Sequence, residues 1–226
     1  MKYKYQLHTH TTPTSKCSRM TPKELAEALH NAGYAGCVVT NHFMNGNTGV
    51  SRELSWEDFV AAYERDYLEC KAEGEKYGLD ILFGIEEGVG GASEILCYGV
   101  TPKMLSEHPE LRRCNSELWS SVMHELGVLV INAHPYRVTR LDANPKPLPL
   151  ERIDGIELYN YWNQPEYNEK AEAFAKEHPG LILTSGGDTH EPETVGCGGI
   201  ATDERISDIE KLCEILRSGN YQLLKP

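Results

Sequence analysis

Five short stretches of this chain share one arrangement, in which an apolar or small-residue run ends on a histidine or an acid: Gln6-Leu7-His8-Thr9-His10, Thr40-Asn41-His42, Gly84-Ile85-Glu86, Ala133-His134-Pro135 and Gly187-Asp188-Thr189-His190. Side chains alternate between faces along an extended segment, so His8 and His10 point the same way and can hold one ion between them. A single His-x-His is more often a satisfied surface or core pair than a set of ligands. Recurrence of the arrangement along the chain reverses that preference, because imidazole and carboxylate are the side chains that hold divalent ions.

The residues between these stretches alternate strand-like and helical patterns. A strand over Tyr3 to Leu7 delivers the histidine pair. Thr21-Pro22-Lys23-Glu24 has the form of a capping box with proline at the first helical position, opening a helix striped by Leu25, Ala28, Leu29 and Ala32 and stopped by Gly33. Cys37 to Thr40 reads as a buried strand, Ser55 as the cap of a long helix carrying Phe59, Tyr63, Tyr67 and Cys70, and Asp80 to Phe83 as a strand running on to Glu86. Beyond a glycine-rich turn at Gly88 to Gly91, Glu94 to Tyr98 makes another strand; one or two helices fill 102 to 126, and Val128 to Ile131 leads to His134. Pro145, Pro147 and Pro149 make Leu141 to Leu150 a long loop on the side of His134. Gly155 to Leu158 and Leu181 to Thr184 are further strands with a helix from about Glu166 to Glu177 between them, and Ile209, Leu212, Cys213 and Leu216 mark a last helix. This order predicts an α/β chain with a mainly parallel sheet, whose functional side chains gather where strands end.

A length of 226 residues suits a single domain over 1–226. The net charge of -12 argues against unaided binding to a polyphosphate backbone, so long nucleic acid is not an expected partner, while a small anionic substrate remains compatible with cations bound by the carboxylates. Seven cysteines without a close pair fit a reducing compartment, with Cys37, Cys70, Cys97 and Cys213 as core residues. The N-terminus enters a strand directly and no apolar run reaches spanning length, from which we expect a cytoplasmic protein with no membrane partner. The oligomeric state is not readable.

Taken in order, His8-Thr9-His10-Thr11, Val38-Val39-Thr40-Asn41-His42-Phe43, Gly84-Ile85-Glu86, Ala133-His134-Pro135, Ile153-Asp154-Gly155-Ile156-Glu157-Leu158-Tyr159-Asn160 and Ser185-Gly186-Gly187-Asp188-Thr189-His190 resemble the polymerase and histidinol phosphatase (PHP) superfamily over most of the chain. The resemblance implies a distorted (β/α)7 barrel with a two- or three-metal centre and phosphoesterase activity. It implies that His8, His10, Glu86 and Asp188 share one metal, that Glu86 bridges to a second held by His134, and that His42 and His190 hold a third. Glu94 falls where many relatives have a histidine, and a carboxylate can replace it. Two departures bear on the centre. Ser15 and Lys16 stand where the family often has an acidic or His ligand, and Asn41 stands in place of the family's Asp, so we expect the third metal to be weakly held or absent and affinity to fall.

Metals about 3.5–4 Å apart can share a water, lower its pKa and neutralise charge on a phosphoryl oxygen. The expected activity is therefore a metal-dependent phosphoric ester hydrolase using a metal-activated water, with zinc, manganese or iron all compatible with the donors. No Gly-x-Ser-x-Gly or phosphate-cradling glycine loop suggests a protein nucleophile. Arg137, three residues past His134, is the best candidate to grip a phosphate, with Arg140 and Lys16 behind it, and His190 or His42 could exchange a proton with the water. His30, His108, His124 and His178 lie outside the repeated arrangement and read as structural or solvated. Two other readings remain: amidohydrolase or phosphotyrosine-phosphatase chemistry on the same centre, and a metal-binding protein with little turnover.

Overall fold

A computed structural model describes residues 1–226. Nine strands form one sheet in the order β7-β6-β5-β4-β3-β2-β1-β8-β9. The first seven, β1 (Tyr3–Gln6), β2 (Gly36–Val39), β3 (Asp80–Gly88), β4 (Glu94–Tyr98), β5 (Leu129–Asn132), β6 (Gly155–Asn160) and β7 (Ile182–Gly186), lie side by side in chain order. Helices α1 (Pro22–Asn31), α2 (Trp56–Glu75), α3 (Pro102–Glu107), α4 (Ser116–Glu125) and α5 (Pro165–Glu177) fall between them. This is the α/β barrel-like architecture expected.

Local chemistry sets the element ends. Thr21 and Glu24 form the reciprocal capping box of α1, and Ser55 accepts the Asp58 N–H at the start of α2. Burial of Phe43 edge-on against Trp56, Phe59, Tyr63 and Trp119 ties α2 and α4 to one side of the sheet. A second cluster, including Tyr5, Leu7, Val38, Leu96, Tyr98 and Ile131, fills the interior. There the Tyr98 hydroxyl of β4 donates to the Leu7 carbonyl at 2.9 Å, a bond across the barrel rather than along the sheet.

The sheet is less parallel than the sequence pattern predicts. β4 runs antiparallel to both β3 and β5, because a short turn joins β3 to β4 and leaves no room for a crossover helix. Two strands go unannounced by periodicity: β8 (Gly199–Thr202), antiparallel to β1, and β9 (Gln222–Leu224), antiparallel to β8, with α6 (Ile209–Ser218) between them. They wedge between β1 and β7 low in the barrel. At the rim the chain after β1 pairs with the chain after β7, the His10 N–H donating to the Thr189 carbonyl at 2.9 Å and the Thr189 N–H to the His8 carbonyl at 3.1 Å. That pairing nearly closes the sheet at the end where the histidines lie. No helix is long and apolar enough to cross a membrane.

Candidate metal centre

Glu86, 1% exposed, is the middle of the centre and uses both oxygens. His8 Nε2 lies 3.1 Å and His134 Nε2 3.2 Å from Oε1, while His42 Nδ1 lies 2.8 Å and His10 Nε2 3.3 Å from Oε2. Asp188 Oδ1 stands 3.5 Å from His8 Nε2 and 3.3 Å from His10 Nε2. Glu94 reaches in from the far side, with Oε2 3.4 Å from His134 and Oε1 3.7 Å from His42. It opens its strand rather than ending it, and arrives at the same rim because β4 runs antiparallel.

The spacings fit coordination. An ion with bonds of about 2.0–2.1 Å to tetrahedral N and O donors separates those donors by about 3.3–3.4 Å. His8 Nε2, His10 Nε2, His42 Nδ1 and Glu86 Oε2 are buried with no hydrogen-bond partner, a costly arrangement unless a cation engages them. Three groups can each surround an ion: His8, His10 and Asp188; His42, Glu86 and Glu94; His10, His42 and His190.

Supporting contacts fix which nitrogen of each ring is free. His8 Nδ1 lies 2.9 Å from Glu157 Oε1, so the proton belongs on Nδ1 and the lone pair on Nε2. Ser15 Oγ donates to Asn41 Oδ1 at 2.8 Å and therefore accepts from His10 Nδ1 at 3.0 Å, again leaving Nε2 bare. Asn41 is held in that orientation by Nδ2 donating to Asp66 at 2.7 Å and to Thr11 at 2.9 Å. His190 Nδ1 sits 2.7 Å from the Asp188 carbonyl, which leaves its Nε2 as an acceptor, 3.1 Å from the Cys17 thiol.

Burial disfavours a charged His8, but Glu86, Asp188 and Glu157 outweigh it and hold its pKa well above the ordinary value. Burial likewise pushes the Glu86 carboxyl up, and His8 and His42 overturn that to hold it well below the carboxylate range. Such a concentration of negative charge attracts protons and metal cations alike. His134 and Asp188 also carry left-handed backbones, with φ of 26° and 46°, a strain of about 1–3 kcal/mol for each residue. Both aim a side chain at Glu86 or its histidines.

A family model described as PHP-associated matches residues 165–221, the part from α5 to just past α6. Among solved structures, a two-domain protein of Bacteroides vulgatus containing a predicted PHP-like metal-dependent phosphoesterase superposes with a TM-score of 0.71 at 14% identity, over 99% of this chain and 64% of that one. The fold of this chain is therefore that of a protein containing a predicted PHP-like phosphoesterase. Also similar is an amidohydrolase from Chromobacterium violaceum, with bound sulfate and no metal (TM-score 0.59, 17% identity, 98% of each chain). The lesion-specific endonuclease EndoQ from Pyrococcus furiosus is a third (TM-score 0.59, 15% identity, 99% of this chain and 58% of that one). The chain thus spans less than two thirds of the Bacteroides and Pyrococcus proteins. No curated protein sequence matches it. An endonuclease on this fold removes any fold-based reason to exclude long nucleic acid, leaving only the net charge of -12 against it.

Within this fold the structure brings together His8, His10, His42, Glu86, Glu94, His134, Asp188 and His190. Arg137 lies at the edge, but in a different relation from that expected: Nη1 donates to Asp188 Oδ2 at 2.7 Å, Nε to Asn163 at 3.0 Å, and Nη2 to Asn160. Lys16 and Arg140 are exposed, and neither side chain forms an ion pair. His124 pairs with Asp154 at 3.2 Å and His108 with Glu110 at 2.8 Å, both outside the centre. Glu157 was not recognised from sequence as functional, although a carboxylate inside an apolar strand is itself a signal. Its second oxygen accepts the His134 N–H at 3.0 Å and Asn160 Nδ2 at 2.7 Å. Gly186 makes room for it, since a Cβ there would lie 1.7 Å from Glu157 Oε1.

Proposed function

We propose that this chain is a metal-dependent phosphoesterase that hydrolyses a small phosphorylated substrate. The observation that carries the reading is the buried, unpartnered set of ring nitrogens converging on both oxygens of Glu86. His8, His10, Asp188 and Glu86 would hold one ion, Glu86, His134 and Glu94 a second, and His42 and His190 a third, with zinc, manganese or iron suited to the donors. Bound metals would supply Lewis acidity for a phosphoryl oxygen and an acidified water.

The chain's own residues do the rest. Glu157 and Ser15 keep His8 and His10 in the tautomer that offers Nε2 inward. Arg137 has five N–H donors and spends three of them on Asp188, Asn163 and Asn160, so two are left for phosphoryl oxygens at the mouth. His190, 19% exposed, carries its proton on the Asp188 carbonyl side. Its Nε2 can accept a proton and cannot give one without first being charged. Lys16 and Arg140, as solvated cations of the surrounding loops, would attract the anionic substrate rather than grip it.

Charge favours a small phosphoester over a long polymer, and the donor set alone does not distinguish ester from amide hydrolysis. Metal analysis of protein purified without chelator, joined to a hydrolysis screen with added manganese or zinc, tests the proposal. The screen should contain phosphomonoesters, small phosphodiesters, phosphotyrosine, amides and DNA with and without an abasic lesion. We expect about two to three metals per chain, and turnover of a small phosphoester. Metal without any turnover would instead establish a binding protein; turnover confined to amides or DNA would reassign the substrate.

A further inference from the structure

Cys17 lies at the mouth of the centre, in the loop after the first histidine pair. Its Sγ stands 3.1 Å from His190 Nε2, the nitrogen left bare by the Asp188 carbonyl. The His42 ring is a second near neighbour of the thiol. His42 is 8% exposed and His10 wholly buried, and each has a ring nitrogen without a hydrogen-bond partner in the group that these two form with His190. Ring centroids of His10 and His190 lie 4.2 Å apart and those of His10 and His42 4.5 Å apart, so the imidazoles crowd one small volume.

The three imidazoles bring no anionic charge of their own. The carboxylates nearest to them are shared with other groups: Glu86 with four histidines, and Asp188 with His8, His10, His190 and Arg137. Neutral imidazoles alone would leave both charges of a divalent ion uncompensated. A thiolate would supply the missing charge from the one side still open to solvent. The distances allow it: bonds of about 2.3 Å to sulfur and about 2.0–2.1 Å to nitrogen at a tetrahedral ion separate the two donors by about 3.5 Å. The observed 3.1 Å needs to open by a few tenths of an ångström, and Cys17 sits in an exposed loop.

We propose that Cys17, as a thiolate, joins His42 and His190 to complete a third metal position, compensating for the Ser15 and Lys16 departure, and that its soft sulfur selects a thiophilic ion such as zinc over manganese there. Binding releases the thiol proton to solvent and forms the sulfur–metal bond with no change of oxidation state. The inference rests on the metal-centre reading above and adds one ligand to it.

Cobalt(II) titration of the full metal-free chain tests it, with wild type and Cys17→Ser compared by absorption spectroscopy and metal count. Wild type should develop a near-ultraviolet sulfur-to-cobalt charge-transfer band. Cys17→Ser should lose that band and one ion per chain while retaining the visible cobalt bands of the remaining sites. Cobalt uptake without a sulfur band in wild type overturns the Cys17 assignment alone. So does a band that persists in Cys17→Ser, which would point to Cys114 or Cys197. No cobalt uptake at all overturns this assignment together with the metal centre, so the two failures are distinguishable.

Discussion

Glu157 Oε1 lies 2.9 Å from His8 Nδ1, and both side chains are wholly shielded from solvent. The carboxylate reaches no other histidine ring, yet it fixes the proton of the first ring in the centre and, through its other oxygen, the left-handed backbone of His134.

Glu157→Gln keeps an acceptor for His8 but removes the charge that makes the ring a better donor. Metal affinity should fall by about 10- to 100-fold with little loss of stability. Glu157→Ala should in addition destabilise the fold by about 1–3 kcal/mol for each donor left unpaired, the His134 N–H and the Asn160 amide. Chelator competition and urea denaturation read the two effects separately.

His10→Ala and Asp188→Ala should lose metal and activity together. His124→Ala should keep both, because its ring pairs with Asp154 on the outside of the barrel. Metal content and turnover of the three variants decide the assignment, and equal effects from all three would show that it is wrong.

Gly186→Ala should damage the centre without touching any ligand. The added methyl would overlap Glu157 Oε1 at 1.7 Å and press on His8 Cβ at 3.0 Å, so Glu157 must move. Overpacking of this kind costs about 1–3 kcal/mol or more. The variant should melt earlier and bind metal more weakly than wild type.

Asp66, on α2, gives the stability a pH dependence. Burial raises its pKa, opposed by hydrogen bonds from Thr11 and Asn41, and Oδ1 has no partner. A carboxyl whose folded pKa exceeds its unfolded value holds its proton more tightly when folded. Stability is therefore greatest at low pH on this account, and is lost as pH rises from the ordinary value of 3.8 through the raised one. Asp66→Asn should remove that slope, matching wild type below the ordinary carboxyl value and gaining on it as pH rises through the raised one. Denaturation midpoints across that range give the answer.

The clustering of the candidate site residues was legible because His, Asp and Glu after apolar runs are a local signal at strand ends; all eight lie at one rim. Capping at Thr21 and Ser55 was legible for the same reason, since the partners are three residues away. What failed depends on distant partners. β8 is four residues beginning on glycine and β9 three, too short for a period, and only pairing with Tyr3 to Tyr5 makes the first a strand. The antiparallel course of β4 follows from a turn, not from its own residues. Arg137 looked like a free phosphate fork until Asp188, from the other side of the barrel, proved to hold it.

The pairing of Thr9 with Thr189 has a consequence for biosynthesis. His8 and His10 can meet Glu86 and Glu157 earlier in synthesis, but Asp188 joins them only after Thr189 has left the ribosome, so a shorter nascent chain lacks one carboxylate of the centre. A chain released before that point lacks both Asp188 and His190, and added metal cannot replace those side chains.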